Sequence, residues 1–174
     1  MRALVVVGAL VVCALIFVVV AIVRDSQGGQ VSAENCPKGF KLANLTLPDE
    51  KDVKINVYNG TNEAGLATGV GNDFKNRKFQ VLKTGNDPKK KGYDGVAVLR
   101  YGPKSIGAAT LLQAYFLRQA ENDFDINRDD DVIDVVIGGA FQQLATPTEK
   151  NQSLGDIGRP SPEPGTCPSP DKDS

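Results

Sequence analysis

The chain has 174 residues, 20 Lys and Arg against 21 Asp and Glu, and no histidine. A net charge of −1 offers no basic footprint for nucleic acid, so no nucleic-acid partner is expected. Without histidine there can be no His-based triad, and the commonest general base and metal ligand near neutral pH is missing, so no cofactor is expected.

In chain order, the first feature is an uninterrupted apolar run of 21 residues from Ala3 to Val23, long enough for a helix to cross the hydrocarbon core. It predicts a single-pass transmembrane anchor over residues 1–23. Arg2 and the amino terminus precede the run, and Arg24 is offset by Asp25, which favours a cytoplasmic amino end and an extracytoplasmic remainder. The alternative is a cleaved signal peptide with Val31-Ser32-Ala33 at the cleavage site. The apolar run exceeds the 7–15 residues usual for that role, and either outcome exports the domain.

Residues 24–51, with Gly28-Gly29 and Pro37, read as an extracytoplasmic linker without periodicity. The folded domain is expected over residues 52–145. It opens with Val53, Ile55 and Val57 alternating on one face of a strand that Asn59-Gly60 ends. Thr61 or Asn62 is placed to cap a helix carrying Leu66, Val70 and Phe74 on one side, with Gly69 and Gly71 allowing close packing. A strand from Phe79 to Leu82, a loop through Asn86-Asp87-Pro88 and Gly92, and a strand from Val96 to Tyr101 follow. Gly102-Pro103 precedes a helix from about Lys104 to Gln119, striped by Leu111, Leu112, Tyr115 and Phe116, and Val132 to Ile137 forms a last strand.

The expected fold is thus an α/β (α+β) sandwich of order βαββαβ, a mostly antiparallel four-stranded sheet with two helices on one face. Residues 146–174, with six of the ten prolines, read as a disordered tail. Cys13 lies in the apolar run, whereas Cys36 and Cys167 flank the domain and are expected to pair. Closing so long a loop stabilises by about 5 kcal/mol in the chain-entropy model.

Few residues carry recognisable chemistry. Ser105, at the start of the second helix, reads as a cap or solvated hydroxyl rather than a nucleophile. Gly60-Thr61-Asn62-Glu63-Ala64-Gly65 has phosphate-loop glycine spacing, but Leu66-Ala67 stands where such a loop needs Lys and Ser or Thr. What remains is a weak anion site at Asn59, Gly60, Thr61 and Gly65, where backbone N–H groups precede a helix. Lys89, Lys90 and Lys91 belong to a basic stretch that also includes Lys75, Arg77, Lys78, Lys83, Arg100 and Lys104, which reads either as a solvated loop or as a surface suited to anionic polymers or lipid headgroups.

Asp123, Asp125, Asn127, Asp129, Asp131 and Asp134 follow calcium-loop spacing. Arg128 in place of the turn glycine and the shorter Asp134 argue for a solvated acidic loop instead. Glu63 and Asp94 are the carboxylates nearest strand ends for a wall-glycan enzyme, though capping and solvation explain them as well. Asn44, Asn59 and Asn151 begin glycosylation tripeptides, which matter only in a host with that machinery.

Val57-Tyr58-Asn59-Gly60-Thr61, Ala64-Gly65-Leu66-Ala67, Phe79-Gln80-Val81, Asn86, Val96 to Tyr101, Ala108-Ala109 and Val135-Val136-Ile137-Gly138 with Phe141 resemble the LytR C-terminal domain, a bacterial envelope module. The resemblance runs from about Val53 to Leu144. Lys78 departs from it where the family usually has glycine, and Asp87 where a small residue is common. It implies a stand-alone, membrane-anchored, non-enzymatic binding or scaffolding module supporting envelope or cell-wall integrity, with a wall polymer, an anionic lipid or an envelope protein as partner. It supplies no catalytic residues. The rival readings are a carboxylate-dependent wall-glycan enzyme and a purely structural tether in a membrane complex.

Overall fold

The structure, a computed structural model, describes residues 36–89 and 92–169. The expected anchor over residues 3–23 lies outside them, and among the described residues no helix is long and apolar enough to cross a membrane.

Strands β1 (Lys41–Ala43) and β2 (Lys54–Asn59) lead into helix α1 (Leu66–Asn76) and strands β3 (Gln80–Asn86) and β4 (Ala97–Tyr101). Helix α2 (Ile106–Tyr115), strands β5 (Ala120–Phe124) and β6 (Val132–Ile137), helix α3 (Pro147–Ile157) and strand β7 (Thr166–Pro168) complete the described chain.

Alternation in the strands selects one buried face. Ile55 and Val57 of β2, Leu99 of β4, and Ile133, Val135 and Ile137 of β6 lose all solvent exposure there. Val70 and Phe74 of α1 and Leu111, Leu112 and Tyr115 of α2 join the same core. The Phe74 ring lies 5.1 Å from Phe79, 6.3 Å from Tyr115 and 6.2 Å from Phe116. Edge-to-face contacts of this kind bind α1 and α2 together over one side of the sheet, as the sequence predicts. Of the two helical glycines, Gly71 is the one that permits close packing: a Cβ there would come within 2.6 Å of Thr84 Cγ2 on β3, whereas one at Gly69 meets nothing.

The sheet itself differs from the expectation. It has five strands in the order β3-β2-β6-β4-β5, and only β4 and β6 pair antiparallel. Pairs β2–β3, β2–β6 and β4–β5 are parallel. Parallel neighbours need a crossover, and α1 and α2 supply two of them. The alternation that suggested an antiparallel sheet arises instead because the second face of this mixed sheet carries polar and charged side chains. Strand β5, Ala-Glu-Asn-Asp-Phe, escapes sequence reading because an edge strand pairs on one side only and needs little apolar surface. Strand β3 runs beyond Leu82, where a register shift leaves that residue unpaired and 53% exposed. Helix α2 stops at Tyr115, short of Gln119, because Leu117 and Arg118 adopt φ of +52° and +65°.

The flanks also depart from the expected linker and tail. From Cys36 onward the chain is part of the fold: Ala43 of β1 is fully buried, and Asn44 N–H donates to Pro103 O at 2.9 Å. Residues 147–157 are helical rather than disordered. Thr146 and Glu149 form a capping box with Pro147 in the first turn, and Leu154 packs on the core. Strand β7 pairs parallel with β1, aligning Leu42 with Cys167. Cys36 and Cys167 are bonded, their Cα atoms 5.8 Å apart and 131 residues apart in sequence.

Candidate functional site

The carboxyl ends of parallel strands are where α/β sheets commonly place ligands. Here the ends of β2, β3 and β6 gather the Asn59-Gly60-Thr61 turn, the loop after Asn86, and Gly138. Gly60 N–H donates to Ile137 O, Asp87 N–H to Asn59 O, and Tyr93 N–H to Gly60 O, at 2.8, 2.9 and 2.9 Å. Gly138 must be glycine, because a Cβ there would collide with Gly95 O.

The weak anion site read from the sequence therefore lies at this end, but its donors have internal acceptors. Asn59 Oδ1 accepts from Thr61 N–H and from the Thr61 hydroxyl, and Thr61 Oγ1 accepts from Glu63 N–H. This side-chain turn replaces the expected helix cap at Thr61 or Asn62. Helix α1 begins after Gly65, whose φ of +83° suits glycine, and no side chain caps it. Lys89 Nζ points to Asp123 Oδ2 at 3.1 Å, while Lys90 and Lys91 lie outside the described residues.

Two cations of the basic stretch, Arg100 and Lys89, pair with carboxylates on the second face of the sheet. Arg100 donates from two nitrogens to the Asp87 carboxylate at 2.6 and 3.0 Å, and its Nε lies 3.3 Å from Asp123. The Asp87 side chain is only 2% exposed. The hydrogen-bonded Arg100 guanidinium outweighs its burial and holds its carboxyl below the ordinary value. Beside this pair, Arg128 Nη1 donates to Asp134 Oδ2 at 2.9 Å and to Arg100 O at 3.0 Å, and Asn56 Nδ2 donates to Asp134 Oδ1 at 2.7 Å. Burial, with Asp134 nearby, pushes the Tyr58 hydroxyl up. Arg77 is taken up by Asp73 and Ala145 O.

The calcium-spaced residues are not brought together. Asp123 meets Arg100 and Lys89, Asp129 meets Lys41, Asp131 meets Lys54, and Asp134 meets Arg128. Asp125 Oδ1 accepts from Asn127 N–H within the turn. Among the described residues no three Asp, Glu or Cys side chains converge on a point that could hold a metal ion. Ser105 is neither a side-chain cap nor solvated: it is buried, and its Oγ has no partner among the described residues. Glu63 and Asp94 are exposed.

A cleft of about 170 Å³ lies where the sequence reading placed nothing. Its walls come from α2, from the neighbouring strands β4 and β5, and from the segment after α3, with Tyr101, Gln113, Asn122, Arg159 and Glu163 as its main polar residues. Tyr101 donates its hydroxyl to Glu163 Oε1 at 2.8 Å, which ties the post-α3 segment to the sheet. Burial, reinforced by Glu163, raises the Tyr101 hydroxyl well above its ordinary value. The legible signal for this wall was the Thr146-Pro147-Thr148-Glu149 capping pattern, which proline content obscured.

Residues 52–141 match the family model described as LytR cell envelope-related transcriptional attenuator. The chain belongs to this family. Its fold is similar to the crystal structure of the soluble domain of a conserved hypothetical secreted protein from Mycobacterium marinum, with a TM-score of 0.54 at 23% identity. The likeness covers 73% of this chain and 82% of that one. No curated protein matches the chain. Arg159 and Glu163 of the cleft lie beyond the family-matched segment.

Proposed function

We propose that this protein is a non-enzymatic, extracytoplasmic module that binds or scaffolds components of the cell envelope, held to the membrane by residues 3–23. The observation that carries this reading is the family match over residues 52–141, whose description is cell envelope-related. The Cys36–Cys167 bond supports it independently, because such bonds persist in oxidising compartments outside the cytosol. The functional polar groups of the domain are consistent with binding: the ionic groups on the second face pair with one another, which suits a rigid scaffold better than a reacting centre.

The partner is a wall polymer, an anionic lipid surface or another envelope protein. Co-sedimentation of the oxidised fragment from Arg24 to Ser174 with wall sacculi and, separately, with neutral and anionic vesicles tests this across salt concentrations. Pelleting with sacculi, or with anionic vesicles in a salt-sensitive way, supports the reading and selects the partner class. A fragment that pellets with neither and captures no envelope protein contradicts it.

A further inference from the structure

We propose that the free edge of β3 docks an extended acidic segment of a partner protein, which adds to the sheet as a sixth strand. The inference extends the protein-partner arm of the reading above and is read by a different measurement, so either can fail alone.

Strand β3 is the outermost strand of the sheet on one side, paired only with β2. An edge strand turns part of its backbone N–H and C=O groups away from its neighbour. Among the described residues, nothing beyond β2 takes up the backbone groups of Lys83 to Asn86, and all of these residues are exposed. The register shift that leaves Leu82 unpaired lies at the start of the strand. Beyond it the ladder is regular, with Lys83, Thr84, Gly85 and Asn86 aligned to Asn56, Val57, Tyr58 and Asn59. A Cβ on Gly85 would meet nothing, so an incoming strand finds no side chain in its way there.

The opposite edge is not open in this way. Gln113 Nε2 donates to Ala120 O of β5 at 2.8 Å and to Asn122 Oδ1 at 2.6 Å, and the segment after α3 forms a cleft with that strand. Natural sheets cover or blunt their edges, and here one edge is covered while the other is left bare.

Charge selects the occupant. Lys83 lies on the edge and Lys78 shortly before it. Lys75 follows Gly71 by one helical turn, and Gly71 is the α1 residue that packs against Thr84 and Val81 of β3. All three lysines are exposed, and none makes an ion pair among the described residues. The carboxylates nearest in sequence are already used, Asp73 by Arg77 and Asp87 by Arg100. A second copy pairing through β3 would set these lysines against their own counterparts, which disfavours self-association. Glu or Asp at every second position of the added strand would face Lys83, while Leu82, 53% exposed, offers contact to an apolar residue. A lipid surface or wall polyanion would answer the lysines but not the alternating donors and acceptors of the strand edge.

Amide NMR and hydrogen exchange of the oxidised full chain in detergent micelles test the proposal. The probe is a pool of blocked octapeptides with Glu at every second position and mixed apolar residues between. The amide signals of Lys83 to Asn86 are expected to shift, and their exchange to slow. Placing Lys where the probe has Glu, or N-methylating the backbone along one edge of the probe, should each weaken binding about tenfold or more. The exposed substitution Lys83→Glu should weaken it about fivefold. The probe-side changes leave the protein untouched, so misfolding of a variant cannot mimic the result. No response at Lys83 to Asn86, an equal response to the Lys or N-methylated pools, or the same response to inorganic polyphosphate would overturn the proposal.

Discussion

Between Val53 and Leu144 the chain folds by periodic apolar positions, whereas the stretches on either side are held by a disulfide, a three-residue strand pair, a helix cap and a few polar ties. The central segment would bury most of its apolar residues against its own sheet. The flanks have fewer large apolar side chains, and among the described residues each depends on the other: β1 pairs with β7, and Cys36 with Cys167. A region's composition therefore reports how much core it can bury by itself, not whether the rest of the chain can order it. It also separates two kinds of site, since the strand-end turn belongs wholly to the central segment while the cleft needs both.

Perturbing the central segment should have the largest effect. Phe74→Ala removes the ring shared by Phe79, Tyr115 and Phe116 and is expected to cost about 3–5 kcal/mol, read from denaturant unfolding. On the second face, Arg100→Ala strands the Asp87 carboxylate in a buried position, at a cost also of about 3–5 kcal/mol. The pH dependence follows from the same pair. Because the folded state holds the Asp87 carboxyl below its unfolded value, its contribution is complete above that value, about 3.9, and is lost as pH falls through the lower folded value. An acid titration of the unfolding midpoint should therefore fall less steeply for Asp87→Asn than for the parent chain.

The flanks should respond to smaller changes. Replacing Cys36 and Cys167 with Ser is expected to cost about 2–5 kcal/mol, felt first in β1, β7 and α3. Thr146→Ala removes the capping box and should cost about 1 kcal/mol, seen as a small fall in the melting temperature with the central segment unaffected. If Thr146→Ala lowered stability as much as Phe74→Ala, the distinction between the two regions would fail.

The sequence made the central segment legible because its strands and helices bury single faces: the alternation in Val53 to Val57 and the stripe of Leu111, Leu112 and Tyr115 read directly. Strand direction was not legible, since alternation reports one-sided cover and not whether neighbours run parallel. The polar strand Ala120–Phe124 was invisible for lack of apolar periodicity, and the prolines around α3 masked a sound capping signal. The turn at Asn59 was found, but its Asx geometry, which gives the N–H groups internal acceptors, depends on Asn59 Oδ1 turning back on Thr61. The cleft could not be read at all, because Gln113, Asn122, Arg159 and Glu163 meet only through the tertiary path of the post-α3 segment.

Hydrogen exchange followed by mass spectrometry on the oxidised and reduced full chain tests most directly the claim that the flanks complete the domain. The account predicts protected amides in β1, α3 and β7 of the oxidised chain, with protection falling there, and much less in β2, β4 and β6, when Cys36–Cys167 is reduced. Exchange of residues 147–168 at the rate of an unstructured peptide in the oxidised chain would contradict it.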